Sequence, residues 1–203
     1  FPDAEAPQRA VTIWAYINAW PAGEYVLLWD GKGRVSTQGD LQLLTESENR
    51  QTYSFSPKPL DESQLFILGI DSSDAADPVR NIRLLLPGTE DNYLDQPYNP
   101  KFLEKLAPFS TIRFMDFGKT NNWSETNSWE CYDSPEDTIR KPWSFRSKPS
   151  FYTFTTNKGV PYEYMIRLCN ITNKNMWICV PHNASDEYIR NMATLVKETL
   201  DPD

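Results

Sequence analysis

Four carboxylates in the second half of the chain sit where side chains could do acid–base work: Asp116, Glu125, Glu130 and Asp186. Asp116 ends the run Thr111-Ile-Arg-Phe-Met-Asp, read as a strand; the others fall in loops or at a helix start. Barrel enzymes keep their reacting groups at the C-terminal ends of parallel strands, so Asp116 is the best-placed catalytic candidate. Cleaving a glycosidic bond takes two facing carboxyl groups, about 5 Å apart for retention and about 6.5–9.5 Å for inversion. Two suitably opposed carboxylates cannot be assigned from spacing, and a loop anchor or helix cap is the plainer role for Asp116.

His182, the one histidine, follows the apolar run Met176-Trp-Ile-Cys-Val and Pro181. Two roles fit it there: binding a sugar hydroxyl or positioning a carboxylate, and donating to a backbone carbonyl. Asn121 can line the same face. Trp123, Trp129 and Trp143 lie in a long polar loop, 117–158. They would serve either as planes on which sugar rings stack or, more plainly, as anchors pinning the loop to the body. Glu163, in a helical stretch, reads as a solvated or capping carboxylate.

Other chemistries find no support. One histidine and scattered cysteines give no metal-ligand spacing, so no metal or cofactor is expected. Gly31-Lys-Gly33 falls in a turn rather than between a strand and a helix, which is not a phosphate loop. No Gly-x-Ser-x-Gly elbow exists. The net charge of −8, from 20 basic and 28 acidic residues, argues against nucleic acid and anionic membrane as partners. Apolar runs are too short to span a bilayer. Neutral sugars stay compatible, because aromatic faces and hydrogen bonds grip them.

Three sequons, Asn122-Trp-Ser, Asn170-Ile-Thr and Asn183-Ala-Ser, point to N-glycosylation at Asn122, Asn170 and Asn183 and to a secreted, extracellular protein. The chain starts at Phe1 without an initiator methionine, which is the expectation for a processed product or an excised piece. Cys131, Cys169 and Cys179 make an odd count. Cys169 and Cys179 flank a helix-to-strand turn; they could bridge, or both could be small buried apolar residues.

The elements that must position these residues fall into two kinds. Up to about residue 86 the runs are β: Val11-Thr-Ile-Trp-Ala-Tyr-Ile, then Glu24-Tyr-Val-Leu-Leu-Trp-Asp, with Arg34-Val-Ser-Thr continuing it as a hairpin. Tyr53-Ser-Phe-Ser, Leu65-Phe-Ile-Leu-Gly-Ile and Val79-Arg-Asn-Ile-Arg-Leu-Leu-Leu follow. Six or so short strands with turns between them suggest packed antiparallel sheets. After Pro87-Gly88 the period changes. Asn99 caps a short helix with Pro100 first; Thr111–Asp116 and 176–180 are strands; 161–170 and 185–200 are helices. In the last helix Tyr188, Ile189, Met192, Leu195, Val196 and Leu200 make one apolar stripe behind Ser185. Helix, strand, helix, strand, helix is the order of parallel βα units.

Several stretches carry a resemblance. They are 20–33 (Trp-Pro-Ala-Gly-Glu-Tyr-Val-Leu-Leu-Trp-Asp-Gly-Lys-Gly), 79–88, 102–109 and 112–117 (Ile-Arg-Phe-Met-Asp-Phe), with Lys119-Thr-Asn-Asn. Residues 159–166, 177–182 (Trp-Ile-Cys-Val-Pro-His), 186–193 and Leu200-Asp-Pro complete them. In this order they resemble a family of secreted glycoside-hydrolase-like proteins. The resemblance implies an N-terminal β-sandwich and a (β/α)8 barrel, whose next strand ends in an Asn-Glu pair with a general-acid Glu. This sequence stops at Asp203, before that strand.

The expected fold is therefore an antiparallel β-sandwich over 1–88 and an incomplete (β/α)-barrel-like half over 89–203. The expected function is that of an extracellular glycoprotein on a degenerate glycoside-hydrolase-like scaffold, non-catalytic and structural, self-assembling or glycan-contacting. The alternative is the N-terminal fragment of a secreted glycoside hydrolase acting on polysaccharide. Two parallel strands leave open edges, so self-association or a partner chain completing the sheet is expected.

Overall fold

The computed structural model describes residues 9–15, 20–59, 62, 64–120, 140–151, 153–154 and 156–202. It is a β-rich mixed α/β chain that divides into two compact units, 1–97 and 98–203.

Among the described residues the first unit holds seven strands: β1 (Ala10–Ala15), β2 (Gly23–Asp30), β3 (Gly33–Gly39), β4 (Gln42–Ser47), β5 (Arg50–Phe55), β6 (Leu65–Ser73) and β7 (Arg80–Leu85). They form two sheets, ordered β1-β6-β3 and β4-β5-β2-β7, and every pairing is antiparallel. Alternation along β2 buries Tyr25, Leu27 and Trp29. Val35 of β3 and Phe66 and Leu68 of β6 join them in one cluster, so both sheets share a core.

That shared core explains one departure from the sequence reading. β3 does not return beside β2 as a hairpin; it pairs with β6 in the other sheet. The buried residues of β2 and β3 face one another across the core instead of lying side by side. The chain crosses between sheets at Gly31-Lys32, and Gly31 is required there. Its φ is +83°, and a Cβ would stand 2.1 Å from the Pro78 carbonyl oxygen. A second departure is β4, which the sequence reading passed over. Leu43 and Leu44 are adjacent, which breaks the period-2 signal, and both are half exposed because β4 is a sheet edge.

Residues 89–97 belong to the first unit. Arg50 donates to both carboxylate oxygens of Glu90, at 2.8 and 2.9 Å. The Arg50 hydrogen bond holds Glu90 below its ordinary pKa. Asp30 is likewise held low, by hydrogen bonds from Asn81 and then Arg83. Both pairs are more than a third exposed on at least one side, so each contributes below about 1 kcal/mol. A depressed carboxylate stabilises the fold above its unfolded pKa, about 4, and that stabilisation is lost as pH falls through the folded value. Acid titration of unfolding will therefore show stability falling below about pH 4. Asp30→Asn combined with Glu90→Gln should flatten that acid limb; an unchanged limb would remove these pairs from the account.

The second unit contains α1 (Pro100–Leu106), β8 (Thr111–Arg113), α2 (Tyr162–Thr172), β9 (Asn175–Trp177) and α3 (Asp186–Thr199). Asn99 Oδ1 accepts from Lys101 N at 2.9 Å, and Pro100 opens α1. Asn173, in the left-handed region at φ +50°, stops α2. Ser185 Oγ accepts from Tyr188 N at 3.1 Å and starts α3. β8 and β9 pair in parallel, Thr111 with Asn175 through Arg113 with Trp177, and α2 lies between them in sequence. The strands are shorter than the apolar runs suggest, three residues each. Ile189, counted in the α3 stripe, is 40% exposed; Tyr188 and Met192 carry the buried face.

Candidate functional site

Side chains on the paired strands alternate between two faces. Ile112 and Met176 point to one face and pack with Met165, Leu168, Tyr188 and Met192 of the helices. Thr111, Arg113, Asn175 and Trp177 point to the other, and all four are exposed. Trp177 is 55% exposed. The Arg113 guanidinium lies 5.0 Å from the centre of the Trp177 ring. Its Nη2 donates to Met115 Sδ at 3.3 Å, and no carboxylate pairs with it among the described residues.

The C-terminal ends of the strands hold two of the residues singled out from sequence. Asp116 lies beyond β8, in the turns of 115–120, where its carbonyl accepts from Lys119 N at 3.2 Å. Its carboxylate is exposed, and no described side chain hydrogen-bonds to it. His182 is also exposed, and its carbonyl accepts from Arg140 Nη1 at 3.0 Å. Asp186 stands exposed in the first turn of α3. Asn121, Asn122, Trp123, Glu125, Trp129, Glu130 and Cys131 lie outside the described residues.

Two of the cysteines and two of the sequon asparagines take definite places. Cys169 and Cys179 are both free thiols. The turn at Asn173 lies between them, and helix and strand leave it at different rates. Cys169 recedes about 6 Å from the turn along α2, whereas Cys179 is carried about 20 Å along an extended chain. A disulfide needs Cα atoms within about 7 Å. Burial also lifts the Cys169 thiol to about 11, so it is inert as a nucleophile. Asn183 is enclosed. It is 3% exposed, and both its amide atoms are enclosed without a hydrogen-bond partner. Its carbonyl accepts from Lys141 N at 2.8 Å, which fixes the segment. Asn170 is half-buried; its amide donates to Thr199 O at 2.9 Å, and its carbonyl oxygen accepts from Asp201 N at 3.1 Å. It clamps the ends of α2 and α3 together.

Trp143 proves to be packed. It stacks on Tyr162 with an interplanar angle of 2° and meets the edge of Tyr188 at 5.0 Å. Arg146 lies 4.4 Å over its ring and grips both carboxylate oxygens of Glu163. Glu163 is therefore an ion-pair partner rather than a solvated or capping group. Burial raises the Tyr162 phenol to about 12 and the Tyr188 phenol further. Their hydroxyls bond each other at 2.8 Å. This cluster is closed to ligands and holds α2 to α3.

No family model, curated protein or solved structure matches this chain. The site must be judged on its own geometry. Among the described residues no group of His, Cys, Asp or Glu could hold a metal ion, and no helix is long and apolar enough to cross a membrane. Two hollows exist. One of about 370 Å³ lies between the C-terminal ends of α2 and α3, at the start of β9. Another, of about 450 Å³, is ringed by Trp29, Lys32, Arg34, Glu46 and Asp77 in the first unit. Both are open and polar-rimmed. The exposed sheet face is the more distinctive feature, because parallel strands are ordinarily covered on both faces. Sequence reasoning missed Arg113 and Trp177. Period-2 alternation in 111–113 and 175–177 puts them on one face, but strands of three residues are too short for it to stand out.

Proposed function

We propose that this chain is an extracellular glycoprotein on a glycoside-hydrolase-like scaffold, without catalysis of its own, that contacts glycans through the open face of β8 and β9. The proposed architecture is an N-terminal β-sandwich followed by part of a (β/α) barrel. The observation that carries the reading is Trp177, more than half exposed on the uncovered face of a parallel strand pair. A large aromatic plane in water gains by stacking on a sugar ring, and Thr111 and Asn175 beside it offer hydrogen bonds to hydroxyls.

Retention on a panel of insoluble neutral and acidic polysaccharides tests this. The native chain should be retained on at least one member, and Trp177→Ala should lose most of that retention. Release of reducing sugar that disappears in Asp116→Asn would overturn the non-catalytic reading in favour of a hydrolase fragment.

We also propose self-association, through the edge strand β4, where Leu43 and Leu44 are each 52% exposed beside unpaired backbone groups. Sedimentation at micromolar concentration should show species heavier than the 23.5 kDa chain. Leu44→Lys should shift them toward monomer. A clean monomer for the native protein would refute this contact.

A further inference from the structure

Resting on the reading that the β8–β9 face contacts glycan, we propose that its ligand is an acidic glycan whose uronate carboxylate pairs with Arg113 while a sugar ring stacks on Trp177. Among the described residues the face carries a guanidinium, an indole, a hydroxyl and an amide, and no carboxylate, although the chain as a whole bears a net charge of −8. That local sign is complementary to an anion.

Arg113 is the decisive residue. Two other arginines of the same unit are committed, Arg146 to Glu163 and Arg140 to the carbonyls of His182 and Ala184. Among the described residues Arg113 has only a thioether contact and the ring of Trp177. Stacking on the indole limits the side chain's freedom, so less entropy is lost when it binds. A guanidinium presents a planar fork of donors that meets a carboxylate with two parallel hydrogen bonds. Trp177 lies in register opposite Arg113 on the neighbouring strand, so a single pyranose acid can reach both groups. Repulsion from distant acidic residues is screened beyond about 8 Å at physiological ionic strength.

The test is calorimetric titration of the full chain with oligogalacturonate and with its methyl-esterified form, which keeps the backbone and removes the charge. Titrations run at physiological ionic strength, with circular dichroism confirming that each variant folds. The native chain should bind the acid form about tenfold more tightly than the ester. Arg113→Gln should abolish that preference and leave the residual binding. Arg113→Lys should retain the preference only in part, because the charge stays and the fork is lost. Trp177→Ala should weaken both forms. Equal affinity for acid and ester, or a preference that survives Arg113→Gln, overturns the inference and leaves the glycan-contact reading standing. Binding of neither form, with neutral polysaccharides also failing, overturns both. A dimer whose dissociation follows Arg113→Gln and Trp177→Ala would assign the face to a second copy and also overturn the inference.

Discussion

Replacing Phe66 by alanine will cost the chain about 3–5 kcal/mol of stability. Phe66, the second residue of β6, is 1% exposed. Its ring meets Phe55 edge-on at 5.0 Å and Tyr25 at 6.1 Å, and Trp20 lies tilted 5.1 Å away. Phe66 belongs to the three-stranded sheet, whereas Tyr25 and Phe55 belong to the four-stranded one. The alanine variant thus removes transfer energy, opens a cavity and strips contacts joining the two sheets. Phe66→Leu keeps most of the volume and should lose roughly 1–2 kcal/mol, chiefly the aromatic edge contacts. Urea unfolding would register both as lower midpoints at an unchanged slope. A loss under about 1 kcal/mol for the alanine variant would mean that the sheets do not share this core.

How much of this was legible beforehand depended on what kind of signal each element sends. β2 and β6 announce themselves as short apolar runs rich in branched and aromatic residues, and α3 by Ser185 followed by a 3.6-residue stripe. These signals are local, and the elements lie where the sequence places them. Pairing is not local. Nothing in Asp30-Gly31-Lys32-Gly33 distinguishes a hairpin from a crossing between sheets, because both need a glycine with positive φ. The choice is made by where Trp29 and Val35 are buried, which depends on β5 and β6. β4 was hidden for the opposite reason: an edge strand with no buried residue has no hydrophobic pattern to show.

The candidate site divides the same way. Asp116 and His182 were identified from their positions after apolar runs, and the structure exposes both. The sequons at Asn170 and Asn183 are three-residue patterns that are blind to burial. One side chain became an interhelical clamp and the other was enclosed. Cys169 and Cys179 were close in sequence, and only the different rises of helix and strand separate them. That arithmetic was available without a structure. Arg113 and Trp177 were overlooked because three-residue strands are too short for alternation to stand out.

The second large effect is expected at Tyr188, which is 1% exposed and central to the second unit's aromatic cluster. Tyr188→Ala should cost about 3–5 kcal/mol, since it leaves a cavity bounded by Trp143 and Tyr162 and removes an edge contact to each. Tyr188→Phe isolates the hydroxyl. It keeps the ring but strips the Tyr162 hydroxyl of its 2.8 Å partner in a buried setting, at a cost of about 1–3 kcal/mol. The pH dependence separates this from simple packing. Burial holds the Tyr162 phenol at about 12, against about 10 in an unfolded chain, and raises Tyr188 further. A group whose folded pKa is raised contributes stability that is complete below the unfolded value and lost as pH rises through the folded one. Stability of the native chain should therefore begin to fall above about pH 10. Tyrosinate absorbance should show late-titrating phenols that ionise only as the fold opens. Tyr188→Phe should remove one of them and shallow the alkaline loss of stability. If all ten tyrosines titrate together near pH 10 in the folded chain, the buried hydroxyl pair does not exist.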